Sequence, residues 1–243
     1  MRFINSKGNF IAIVILVFTS SQAVCGKIDK SFKVIFWGLE LGYFNITGKI
    51  TDFHYDVSIN ASTRGIINLV SEIRIRSGSM GTVSGNRKFK PIQSITKWNR
   101  RRELRESILK YHDGEVILFE ASPELRRDYH IHEPIGIRNS LDPVSAALWF
   151  LDDRKERDLC EGTLSIFDGF RLSELVFTRK TVTEKGIKCV GDIRRLSGFK
   201  ESKKEMQPID FIQHFHRESS NSFVLKRFEM NTVFGRLAFE YLS

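Results

Sequence analysis

The segment SLDPVSAALWFLDD, residues 140–153, interrupts a chain that otherwise alternates apolar and polar residues. Asp142 followed by Pro143 predicts a helix start: the carboxylate caps free backbone N–H groups, and proline suits the first helical position. Val144, Ala147, Leu148 and Leu151 mark one helical face, but Ala146, Trp149 and Phe150 fill much of the remainder. A helix apolar nearly all round is not lying on a surface with one side wet. The expectation is a mainly β protein: a curved antiparallel sheet or open β-barrel wrapped around one enclosed apolar helix. Leu148, Trp149 and Phe150 either line a cavity beside that helix or fill the core.

The flanking sequence supplies the strands. In FHYDVSINA, residues 53–61, Phe53, Tyr55, Val57, Ile59 and Ala61 share one face, and His54, Asp56, Ser58 and Asn60 the other. A period of two means a half-buried strand. EIRIR (72–76) and VFGRLAFEYL (233–242) repeat the pattern, the latter with Val233, Leu237, Phe239 and Tyr241 inward. Further strands are expected at Lys33–Trp37, Gly42–Lys49, Ile92–Asn99, Leu104–Tyr111, Glu115–Ala121, Thr163–Phe167, Arg171–Thr178, Gly186–Ile193 and Phe223–Met230. Short strands so regularly spaced point to an antiparallel sheet, sandwich or barrel. SGSMGTVSG (77–85) reads as a turn-rich loop and PIDFIQHF (208–215) as a second, weaker helix.

The chain opens MRFINSKGNFIAIVILVFTSSQAVCGK, with Arg2 and Lys7 ahead of an unbroken apolar run from Phe10 to Phe18. That is the layout of a secretory signal peptide, and the run is far short of the roughly 20 residues a membrane-spanning helix needs. Residues 1–25 are expected to be removed, leaving residues 26–243 as a single exported domain in the periplasm. The 38 basic and 29 acidic residues of the whole chain become 36 and 29 without Arg2 and Lys7, a net charge of +7. For an exported protein the fitting anionic neighbours are lipid head groups or wall polymer, not nucleic acid. Oligomeric state is not legible.

With Cys25 removed, Cys160 and Cys189 remain, and two cysteines in an exported chain are expected to form one disulfide. Asp168, in CEGTLSIFDGF (160–170), is expected at the exposed tip of a two-residue Asp-Gly hairpin turn, both residues at positive φ. The motif is then a staple and a turn, with no nucleophile.

Other chemistry is thin. Lys97, Arg100, Arg101, Arg102 and Arg105 form either a patch for an anionic surface or the wet face of a basic hairpin, with Glu103 and Glu106 partly offsetting it. His130 with His132, and His214 with His216, have the i, i+2 spacing that puts two imidazoles on one strand face. Glu133, a candidate third ligand beside His132, points the other way in an extended chain, and the rings of His214 and His216 diverge if that segment is helical, so no metal and no cofactor are expected. No nucleophile elbow, zinc-protease motif or phosphate loop occurs, so no catalytic residue is assigned and the chain is read as not an enzyme.

Together Asp142, Pro143, Ser145, Cys160, Phe167, Asp168, Gly169 and Cys189 resemble the pattern of exported alphaproteobacterial proteins that carry the domain of unknown function numbered 3108. Gly38, Leu39, Gly42 and Tyr55 extend the likeness towards the N-terminus, whereas Phe170 departs from it, where the family has arginine. The resemblance implies an open barrel like that of the lipoprotein carriers, and with it an apolar gap that holds a lipid or acyl chain. Fold likeness alone does not assign this use. The alternatives are a non-catalytic scaffold that binds an anionic envelope component, or an unrecognised hydrolase.

Overall fold

In a computed structural model, the protein is described over residues 26–65, 72–85, 88–100, 103–123, 133–152, 154–200, 207–220, 222–232 and 235–242. The expected signal peptide, His130, His132, Arg101, Arg102 and Val233 lie outside these residues.

Period-two patterning decides the architecture. The strands are β1 (Gly26–Phe36), β2 (Leu39–Ile50), β3 (His54–Thr63), β4 (Ile73–Ser84), β5 (Lys88–Arg100), β6 (Glu103–His112) and β7 (Glu115–Ser122). After a gap come β8 (Ser140–Leu141), the helix α1 (Pro143–Leu151), β9 (Thr163–Phe167), β10 (Leu172–Thr183), β11 (Gly186–Ser197), β12 (Ile209–Ser219), β13 (Ser222–Thr232) and β14 (Gly235–Leu242). They form one 14-stranded sheet in the order β7-β6-β5-β4-β3-β2-β1-β14-β13-β12-β11-β10-β9-β8. Neighbours are antiparallel except β8 and β9, where Ser140 lies opposite Ser165 in parallel.

The two ends of the sheet approach each other. Val116 N donates to Ile137 O at 2.9 Å, Gly136 N to Val116 O at 2.9 Å, and Asn139 N to Gly114 O at 3.0 Å. These bonds join β7 to the segment leading into β8, so the sheet is nearly closed and barrel-like. A small apolar cluster of Leu109, Tyr111, Val116 and Phe167, with Phe119, Ile137 and Leu172 against it, packs along this seam. Phe119 of β7 meets the Phe170 ring edge-on at 4.9 Å.

Three expectations change. SGSMGTVSG is not a loop: its residues through Ser84 continue β4, with Ser77, Ser79, Gly81 and Val83 buried and alternate residues outward. Small residues are needed there because other groups approach closely. A Cβ on Gly81 would stand 2.6 Å from Tyr55 Oη. PIDFIQHF is not a helix but the start of β12, because Phe211, Gln213 and Phe215 at i, i+2 and i+4 are the buried set.

The third change concerns Asp168. β9 and β10 pair Phe167 with Leu172, so the loop holds four residues, Asp168–Arg171, and only Gly169 takes a positive φ, of 94°. The Asp168 carboxylate Oδ1 accepts the backbone N–H of Phe170 at 2.8 Å and of Arg171 at 2.7 Å. It is half-buried, not at an exposed tip, and burial raises its pKa against those two bonds. The two-residue Asp-Gly turn with both φ positive occurs instead at Asp113–Gly114, between β6 and β7.

The helix forms as expected. Asp142 caps it, with Pro143 at its start, and Pro143 alone of its nine residues is exposed. Cys160 and Cys189 are bonded, fastening the segment after α1 to β11.

Candidate functional site

The first assembly around α1 is a buried polar cluster built on its cap. Asp142 Oδ1 accepts Val144 N at 2.9 Å and Ser145 N at 3.2 Å. Its Oδ2 accepts Ser145 Oγ at 2.5 Å and Ser79 Oγ at 2.8 Å. Tyr55 Oη lies 2.6 Å from Ser145 Oγ. With Asp142 ionised, the three hydroxyl protons of Tyr55, Ser145 and Ser79 account for one donated bond each: Tyr55 to Ser145, and both serines to the carboxylate. Burial raises the Asp142 pKa, while the four donors act in the opposite sense. Burial, then the Asp142 charge, raises the Tyr55 pKa. All four side chains are buried and committed to one another, so the cluster holds the helix to β3 and β4 and presents no attacking group.

Beside this cluster lies the main cavity, of about 850 Å³, within the range of small-molecule sites. Inward residues of β1 to β7 and β14 form its wall, with Pro143, Val144 and Ala147 of α1 opposite and Asp168, Phe170 and Arg171 of the β9–β10 loop along one side. The wall is mostly apolar, with Phe44, Ile59, Ile75, Leu237 and Phe239 among its members. Its space comes from small residues at inward positions: Gly42, Ala61, Ser77, Thr96 and Ala147.

Leu148, Trp149 and Phe150 do not line this cavity. Leu148 is buried and faces a second, smaller space of about 420 Å³ near Ile28 and Ile50. Trp149 and Phe150 join a cluster of aromatic rings: Trp149 lies 6.0 Å from Phe177, and Phe150 lies 5.9 Å from Phe211 and 5.6 Å from Phe228. The physical reason is size. Large side chains on α1 consume the space beside them, and Ala147 leaves it open.

The basic run is divided by strand alternation. Lys97 points outward and pairs with Glu106 at 3.3 Å, but Arg105 is half-buried, lines the cavity and lies over the Trp98 ring at 5.7 Å. Arg105 also meets Glu103 at 3.4 Å. Lys97 and Arg105 therefore do not share one docking face. The Arg100 side chain, like Arg101 and Arg102, falls outside the described residues. His214 and His216 share a face of β12, where Glu229 lies 3.4 Å from His214. Among the described residues no group of three or more potential ligands gathers around a metal position.

Comparison with known proteins places the fold alone. A crystal structure of a β-barrel-like protein of the domain of unknown function DUF1849 from Brucella abortus is similar over 88% of this chain and 95% of its own, with a TM-score of 0.50 and 9% identity. No family model matches the sequence, and no curated protein matches it.

Proposed function

We propose that the protein is an exported, periplasmic envelope protein that holds a lipid or acyl chain in the cavity between its curved sheet and α1, and that it is not an enzyme. The supporting observation is the cavity: a space of about 850 Å³ with a mostly apolar wall, floored by α1 and nearly surrounded by strands. Burying apolar ligand surface there is favourable by roughly 25 cal/mol per Å² before the costs of ordering are subtracted. In this reading the sheet wraps the helix as in the lipoprotein carriers, and the apolar run Phe10 to Phe18 behind Arg2 and Lys7 supports export to the envelope. The buried hydroxyls of Ser79, Ser145 and Tyr55 serve the helix cap, which counts against a catalytic role for this cluster.

Filling the cavity tests the reading. Ala61→Phe replaces a wall methyl group by a ring at a position where the fold has space. Lipid that copurifies with the unaltered protein should be absent from the folded variant. Unchanged lipid content in both would place any ligand elsewhere and overturn the proposal. The scaffold alternative needs a single basic face, and the division of Lys97 from Arg105 counts against it.

A further inference from the structure

The cavity wall is not uniformly apolar, and β5 and β6 carry a cluster of its polar groups. The register places Trp98 of β5 directly opposite Arg105 of β6, two residue pairs in from the β5–β6 turn, with Thr96 opposite Ser107 one inward position further along. All four line the cavity. Across the sheet the same rows turn apolar, through Ile75 and Phe44 in line with Trp98 and Ile59 in line with Thr96, and α1 adds Val144.

Trp98 Nε1 is buried and has no hydrogen-bond acceptor among the described residues. An indole N–H can only donate, and a buried donor without an acceptor is costly. Arg105 brings a permanent positive charge beside it, over the indole ring. The acidic residues on the same wall are already engaged: Glu106 pairs with Lys97 at 3.3 Å, and the Asp168 carboxylate takes two backbone N–H groups of its own turn. Glu103 meets Arg105 at 3.4 Å from an exposed position. The β5–β6 side of the wall thus brings an unpaired buried donor and a cation together, with hydrocarbon across the sheet towards β2.

We propose that the ligand is a single-chain amphiphile with an anionic head, carboxylate or phosphate, seated with the head on Trp98 Nε1 and the Arg105 guanidinium and the chain running along the apolar wall towards Val144. This rests on the acyl-binding reading above and specifies its substrate class. Hydrogen bonds to a charged acceptor in a partly desolvated site are stronger than neutral ones. The neutral ester of the same chain has no charge to offer Arg105.

The test compares oleate, oleoyl lysophosphatidate and methyl oleate, titrated calorimetrically into delipidated protein. The unaltered protein should prefer at least one acid over the ester by roughly tenfold, the scale of one hydrogen bond to a charged group. The preferred acid identifies the head. Trp98→Phe and Arg105→Gln should each remove most of that preference, read as the ratio of acid to ester affinity, and retained binding of the ester shows that the variants fold. Equal affinity for acids and ester, or a preference that survives both substitutions, overturns the head assignment and leaves the acyl reading standing. Failure of all three ligands to bind overturns both.

Discussion

Ser79 Oγ donates to Asp142 Oδ2 at 2.8 Å, so a serine of β4 holds the cap of α1 from 63 residues away in sequence. Both groups are buried, and the bond joins the first half of the sheet to the helix. Ser79→Ala should lower stability by about 1–3 kcal/mol, because the buried carboxylate loses a donor and gains no solvent. Asp142→Ala should cost more, since it removes the cap and leaves two buried hydroxyls without their acceptor. Urea unfolding of the two variants checks the order.

Gly81 faces Tyr55 at a distance that admits no side chain: a Cβ there would stand 2.6 Å from Tyr55 Oη and 2.2 Å from Lys90 O. Gly81→Ala should destabilise by about 1–3 kcal/mol, the usual cost of overpacking. It should also displace Tyr55 from Ser145, visible as an altered near-ultraviolet dichroism of the tyrosine.

Cys160 and Cys189 close a loop of sequence separation 29. Replacing either by serine should lower stability by roughly 3–4 kcal/mol in the chain-entropy model, and replacing both should cost little more. Thermal unfolding with and without reductant provides the check; an unchanged midpoint in a single variant contradicts the pairing.

Asp168 supplies a pH dependence. Burial raises its folded pKa above the ordinary 3.8, so the folded state keeps a proton that the unfolded state has released. Folded protein then binds more protons than unfolded, and this group's contribution to stability falls as pH rises from 3.8 through the raised value. Asp168→Asn keeps an oxygen for both backbone N–H groups and removes the titration. Its stability relative to the unaltered protein should therefore increase with pH across that window, measured by denaturant unfolding at a series of pH values. Stability curves that stay parallel would contradict the burial-driven shift.

The seam gives a further expectation. Phe119 packs on Phe170 and over Gly169, where a Cβ would stand 2.3 Å from the ring. Phe119→Ala should loosen the closure between β7 and the segment before β8, seen as faster hydrogen exchange at Val116 and Asn139, whose amides bond across it.

Alternation made most strands legible, because a strand with one buried face writes that face into every second residue, as Tyr55, Val57 and Ile59 do. Residues 77–84 were not legible. Their serines and glycines look like a loop until Tyr55 and Asp142, distant in sequence, supply the reason for small side chains. In β12, Gln213 is buried between Phe211 and Phe215, and a polar residue on the inner face masked the period. Asp142 and Pro143 mark the helix start through local chemistry, and local chemistry is readable. The cavity is different: it lies where Gly42, Ala61 and Ala147 leave space, whereas the sequence draws attention to Trp149 and Phe150, which fill theirs. Trp98 and Arg105 meet only through pairing across the β5–β6 turn, and alternation separates Arg105 from Lys97.

Native mass spectrometry of the protein purified from a bacterial periplasm, before and after organic extraction, reads directly whether the cavity holds a lipid. The mass should exceed that of the disulfide-bonded chain by one single-chain anionic lipid, lost on extraction and absent from Ala61→Phe. A bare chain from the periplasm that also fails to take up oleate, lysophosphatidate or methyl oleate after purification would contradict the acyl-binding reading.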